Sequence, residues 1–185
     1  MNISDEQIIG LLRSDSKAGM KALYAKHVGG LTALCSRYLA DSDDVKDILQ
    51  EVFIKAFTQW QSFTYKGEGS LKAWLSRITV NMSINFLKTA GRIPVVRDDR
   101  ITDSIVEDDT ATDADADGVP PDALQEMIKS LPDGYRTVLN LYVFENKSHK
   151  EIAETLNIKP ASSASQLFHA KAMMARKISE YKRSH

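Results

Sequence analysis

The sequence predicts an all-α protein: two small helical domains, an N-terminal helical bundle and a C-terminal helix-turn-helix, joined by a flexible acidic linker. Three observations lead there. Apolar residues recur at steps of three or four over residues 1–92 and 122–185, and no stretch sustains the period-two alternation of a half-buried strand. Charge separates into blocks: residues 1–92 carry 12 Lys/Arg against 9 Asp/Glu, residues 93–121 carry 2 against 9, and residues 122–185 carry 10 against 7. The acidic block has few large apolar residues and ends in Gly118-Val119-Pro120-Pro121, so it cannot offset the entropy of becoming ordered.

Composition bounds the function. A chain of 185 residues, 43% apolar and 26% charged, suits one compact domain or two small helical ones and excludes a large multidomain enzyme. The single cysteine, Cys35, excludes an internal disulfide and a multi-cysteine metal site. Its apolar helical surroundings predict a buried small side chain rather than a redox sensor. The first residues carry no basic segment, and no apolar run approaches ~18 residues, so the expectation is a cytoplasmic protein without membrane insertion. An enzyme is the weakest class. His27, His149, His169 and His185 stand in scattered contexts and no phosphate-binding glycine loop appears, so neither a catalytic nor a metal site is predicted.

In the first block, Ser4 and Gln7 form a capping box ahead of Ile8, Leu11 and Leu12. A second helix runs from about Lys17 to Leu39 on Met20, Leu23, Tyr24, His27, Leu31, Leu34 and Tyr38. Asp41-Ser42 opens a third, with Val45, Ile48, Leu49, Val52, Phe53, Ala56, Phe57 and Trp60 on one wide face. A fourth starts near Ser70 and carries Leu71, Trp74, Leu75, Ile78 and Met82 towards Phe86, which leaves Phe63 to Gly69 as a loop.

In the second block, Leu124, Met127, Ile128 and Leu131 give one helix, broken by Pro132-Asp133-Gly134. Val138, Leu139, Tyr142 and Val143 give another. Ser148 and Glu151 cap a helix of about nine residues, Asn157 to Pro160 is a tight connection, and a long last helix follows from about Ser162. A short capped helix, a tight turn and a second helix describe a helix-turn-helix whose second member enters the DNA major groove. By spacing alone an ordinary helical hairpin remains open.

Read as words, the segments are more specific. Asp44-Val45-Lys46-Asp47-Ile48-Leu49-Gln50-Glu51-Val52-Phe53 resembles the D-x-x-D-x-x-Q-E-x-F signature of bacterial sigma factors. Ala73-Trp74-Leu75-Ser76-Arg77-Ile78-Thr79-Val80-Asn81 is similar to their A-W-L-x-x-I-x-x-N helix. Leu131-Pro132, Arg136 and Glu151-Ile152-Ala153-Glu154-Thr155-Leu156 resemble the opening of their C-terminal helix-turn-helix. Two domains with a short acidic join resemble the extracytoplasmic-function (ECF) class. The resemblance implies an alternative sigma factor that binds core RNA polymerase, recognises −35 and −10 promoter elements and promotes DNA melting. Residues 1–92 would take core polymerase and the −10 element, and residues 122–185 the −35 element. It implies no cofactor, because the polymerase supplies the chemistry and its magnesium, and it brings an anti-sigma factor into view as a further partner.

Residue roles follow from the same resemblance. On the third helix Asp43, Asp47, Gln50 and Glu51 make an acidic ridge that would dock on the β′ clamp, beside the β subunit, through charge-assisted bonds. A solvated helix face explains the acids near the helix start equally well, but not Gln50-Glu51 in its middle. Phe63, Tyr65 and Lys66 in the loop would capture a flipped −10 base, and Lys72, Arg77, Asn81 and Lys88 would extend a polar stripe along the next helix. Trp74 is expected in the core.

The −35 contacts are expected at Ser162, Ser163, Ser165, Gln166, His169 and Lys171. Here the sequence departs from the family's G-T-V-K-S-R-L-x-R-A-[RK]. Ala164, Gln166 and His169 stand at basic positions and Ser163 at a core valine, so docking should be weaker and less salt-dependent. The acidic linker is either a spacer or an RNA mimic in the polymerase channel. Two rivals remain: a stand-alone helix-turn-helix regulator, and a polymerase-binding adaptor with weakened −35 recognition.

Overall fold

A computed structural model describes residues 3–93 and 116–184. Every regular element among them is helical: α1 (Asp5–Ser14), α2 (Ser16–Tyr38), α3 (Ser42–Gln59), a 3-10 turn (Trp60–Ser62), α4 (Ser70–Thr89), α5 (Pro121–Lys129), α6 (Asp133–Val143), α7 (His149–Leu156) and α8 (Pro160–Ser184). The acidic run from Asp98 to Asp115, and the roles suggested for it, lie outside the described residues. The chain divides into two compact units, Met1–Ser83 and Ile84–His185.

In the first unit α1 packs on α2 and α2 on α3. The capping box is present: Ser4 Oγ accepts from Gln7 N–H at 3.2 Å, and Ser4 N–H donates to Gln7 Oε1 at 2.9 Å. Asp15 ends α1 and begins α2, its carboxylate accepting from the N–H groups of Lys17 and Ala18 at 3.1 Å each. That corner brings the two helices so close that a Cβ on Gly19 would stand 2.5 Å from the Leu12 nitrogen. Asp41 caps α3 in the same manner as Asp15. Ile8, Leu23, Tyr38, Val52, Leu71 and Leu75 form the core. Cys35 is buried as expected, 3.5 Å from Ser83 Oγ, and burial raises its thiol pKa.

In the second unit α8 packs on α6, α7 and α5. The break expected near Pro132 is present between α5 and α6, but it is shorter than the sequence suggests. Pro132 precedes α6, whose first turn holds Asp133 and Gly134. Proline fixes φ at the helix entrance without costing a hydrogen bond that the first turn lacks anyway. The buried Arg136 donates to the carbonyls of Lys129 and Leu131 at 2.8 Å each and to the Asp133 carboxylate, closing the end of α5. The Ser148–Glu151 capping box opens α7, and Asn157, in the left-handed region at φ 58°, ends it. Asparagine tolerates that conformation better than other residues with a Cβ. Pro160 then starts α8 two residues earlier than the sequence suggests, so Ser162 lies inside the first turn rather than capping it.

Candidate functional site

On α3, Asp43, Asp47, Gln50 and Glu51 are all exposed, and their spacing puts them on one side of the helix. Asp43 is partly neutralised by Lys46, whose Nζ lies 2.8 Å away. Beside the ridge runs an open apolar groove of about 820 Å³ between α2 and α3. Tyr24 and Phe53 pack against each other there with ring centroids 4.8 Å apart, and Ile54, Phe57 and Gln50 also line it. Tyr24, Ile54 and Phe57 are 52%, 57% and 45% exposed, so Tyr24 and Phe57, which the sequence assigns to a helical core period, are open to a partner.

The loop 63–69 turns on two glycines at positive φ, Gly67 (111°) and Gly69 (88°). Ser70 Oγ donates to the Gly67 carbonyl at 2.6 Å and accepts from Lys66 N–H at 3.3 Å. Phe63 is half-buried and packs on Trp74 at 5.2 Å, so Trp74 supports the loop and is itself only partly covered. Tyr65 and Lys66 are exposed. Desolvation and the nearby carboxylates of Glu6, Glu68 and Asp5 push the Tyr65 phenol up, so it stays a hydrogen-bond donor. Under the loop lies a pocket of about 260 Å³ walled by Ile9, Leu12, Trp60, Phe63, Tyr65 and Leu71, with Arg13 and Gln61. Pockets for drug-sized ligands run to ~300–1,000 Å³, so this space is smaller than those.

Lys72, Arg77, Asn81 and Lys88 are exposed on α4 but do not make one stripe. At 3.6 residues per turn Arg77, Asn81 and Lys88 share a face, whereas Lys72 points roughly 140° away from Arg77. Its charge bears on His27 of α2.

The first turns of α8 put four of the six residues expected at the −35 element under cover. Ser163 is fully buried, its Oγ 3.0 Å from His149 Nδ1. The hydroxyl that replaces a core valine has a partner in α7 and is unavailable to DNA. Burial, then Lys171, lowers the His149 pKa and favours the neutral ring. Ser162, Ser165 and Gln166 are also buried, at 7%, 6% and 8% exposure, and Gln166 Oε1 has no hydrogen-bond partner among the described residues. His169 is exposed and stacks on Tyr135 with centroids 5.6 Å apart, and Lys171 is half-buried. In this conformation only the last two of the six are accessible.

Comparison with known proteins fits this two-part arrangement. Residues 23–93 match Sigma-70 region 2, and residues 122–174 match Sigma-70, region 4. The ECF RNA polymerase sigma-E factor of Haemophilus influenzae is 28% identical over 184 residues, covering 95% of this chain and 96% of that one. The sigma-E factor of Escherichia coli K12 is 27% identical with 95% of both chains covered, and the RNA polymerase sigma-H factor of Pseudomonas aeruginosa is 27% identical with 90% of both covered. The chain belongs to the ECF sigma factors.

Region 2 of this sigma factor thus contains the α3 ridge, the loop and all of α4, and region 4 contains the helix-turn-helix. The family assignment gives the N-terminal block a use that a stand-alone regulator would leave idle. Among the described residues no helix of the sigma factor is long and apolar enough to cross a membrane. Sequence reasoning missed three features: the apolar groove, the contribution of α1 to the pocket, and a buried cluster around Asp5. Exposure of Tyr24 and Phe57 has no signature in periodicity, because a groove-lining residue and a core residue repeat alike. Asp5 reads as an ordinary acid in a helical first turn, and only the fold reveals its partners.

Proposed function

We propose that this sigma factor docks on core polymerase through the α3 ridge and the adjoining groove, and melts promoters by drawing a −10 base into the pocket beneath loop 63–69. The observation that carries this reading is the coexistence in one unit of an exposed acidic ridge flanked by apolar surface and an aromatic-lined pocket under a glycine-hinged loop. Asp47, Gln50 and Glu51 supply directional, charge-complementary contacts to a basic coiled coil such as the β′ clamp, and Tyr24, Ile54 and Phe57 supply desolvated area. Phe63, Tyr65 and Trp60 replace the stacking a base loses on flipping, and Lys66 with the Arg77–Asn81–Lys88 face follows the phosphates. In region 4, His169 and Lys171 are poised for −35 DNA, whereas Ser162, Ser165 and Gln166 need exposure that this conformation does not give. Catalysis stays with the polymerase.

Permanganate footprinting of unpaired thymines tests the pocket. Holoenzyme with Phe63→Ala/Tyr65→Ala should bind promoter but lose ~30-fold in opening, since each stacking contact is worth ~1–3 kcal/mol. Opening at the wild-type level would remove the pocket from the mechanism.

A further inference from the structure

We propose that Asp5, on α1, is a positioning residue that sets the shape of the base-capturing loop by holding the start of α4 from outside. The inference rests on the base-capture reading above and names a residue that this reading does not need.

Asp5 is 1% exposed. Its Oδ2 accepts from Gly69 N–H at 2.9 Å and from Leu71 N–H at 3.2 Å, so a side chain more than sixty residues away satisfies the orphan donors at the N-terminus of α4. Lys26 of α2 donates to Asp5 Oδ1 and to Glu68 Oε1, both at 2.7 Å. The Asp5 N–H donates to Glu68 Oε2 at 2.8 Å. Asp5, Lys26 and Glu68 therefore close a ring that ties α1 and α2 to the last residues of the loop. His27 stands beside it, Nε2 3.9 Å from Asp5 Oδ1, kept neutral by burial against the pull of Asp5.

An acid placed in a first turn only for the helix dipole sits in water, where it is worth a few tenths of a kcal/mol. Burying a carboxylate costs several times that unless it gains strong donors. Asp5 is buried with two backbone N–H groups and an ammonium aimed at it, all belonging to the loop, to α4 or to its brace. The loop needs such a brace, because two glycines at positive φ leave it free to take other shapes. Leu71, whose N–H is held, also walls the pocket together with Ile9 and Leu12 of α1. The clamp and the pocket share elements, so losing the first deforms the second. The α3 ridge shares no residue with the clamp.

The test uses the full chain assembled with core polymerase on a promoter carrying 2-aminopurine at each non-template position of the −10 element in turn. Wild type should show one position whose fluorescence rises on opening. Asp5→Ala should lower that capture equilibrium by about 30-fold and Glu68→Ala by about threefold, while Asp5→Asn, which keeps one acceptor, falls between them. Core co-elution should be unchanged in all three.

Capture by folded Asp5→Ala within twofold of wild type overturns the proposal, as does a parallel loss of core co-elution, which would make Asp5 merely structural. Should Asp5→Ala fail to fold, Glu68→Ala decides, because its side chain is 59% exposed and tolerates truncation, and unchanged capture there also overturns it. A wild type that opens the promoter with no signal from any −10 base sinks the base-capture reading itself, and the clamp's role with it.

Discussion

The loop of region 2 and the recognition helix of region 4 are both expected to meet promoter DNA, yet they are built in opposite ways. Tyr65 and Lys66 stand exposed on a loop whose shape is fixed from behind by Asp5, Lys26 and Glu68. Ser162, Ser165 and Gln166 sit on a regular helix and are under cover. The first surface is open to solvent, and the second is covered. Residue type does not distinguish a reading surface from a buried one here, since polar side chains occupy both.

The comparison breaks most visibly if the brace behind the loop is disturbed. Gly19→Ala would place a methyl group against the Leu12 backbone and push α1 from α2. Alanine normally favours a helix over glycine, but the clash outweighs that preference and should cost about 1–3 kcal/mol. Thermal melting should show a lower Tm, and promoter opening should fall with it because α1 carries Asp5 and two pocket walls. An unchanged Tm would mean that the α1–α2 approach has slack.

A second prediction concerns exposure in region 4. If about one molecule in ten exposes the start of α8, the free chain binds a −35 duplex about tenfold more weakly than the same chain on core polymerase. Fluorescence anisotropy checks this, and equal affinities would show that exposure is not limiting. Salt dependence should be shallow in both states, because Ala164, Gln166 and His169 supply fewer cations.

The helices were legible in the sequence because capping boxes at Ser4–Gln7 and Ser148–Glu151 and the three-to-four period are local signals. The α3 ridge was legible only through the resemblance of residues 44–53 to a family signature, because exposed polar residues on a helix are otherwise an ordinary solvated face. The clamp was not, because Asp5 finds its partners at Gly69 and Leu71 only through the fold. Ser163 was read as a contact because its buried partner, His149, lies in another helix. Lys72 was grouped with Arg77 by proximity in sequence, which a helix turns into opposite directions.

The smallest expected effect separates the two regions by pH. Burial alone would raise the Asp5 pKa, but the Lys26 hydrogen bond, the Leu71 and Gly69 N–H groups and the Lys26 charge hold it below its ordinary 3.8. A carboxylate depressed in the folded state contributes stability above its unfolded pKa and loses it as pH falls through the folded value. The N-terminal unit of wild type should therefore lose stability below about pH 4 more steeply than that of the Asp5→Asn variant, as denaturant melts would show. Parallel curves would mean that the charge of Asp5 is not what holds the clamp.

Core docking is the step on which every later one depends, and gel-filtration co-elution with core polymerase tests it most directly, wild type beside Gln50→Ala/Glu51→Ala. Wild type should co-elute and the double variant should lose at least about 30-fold in affinity, as expected when central, directional contacts are truncated. A wild type that fails to co-elute with polymerase competent for another sigma factor would contradict the account. Co-elution undiminished in the variant would move the docking face away from α3.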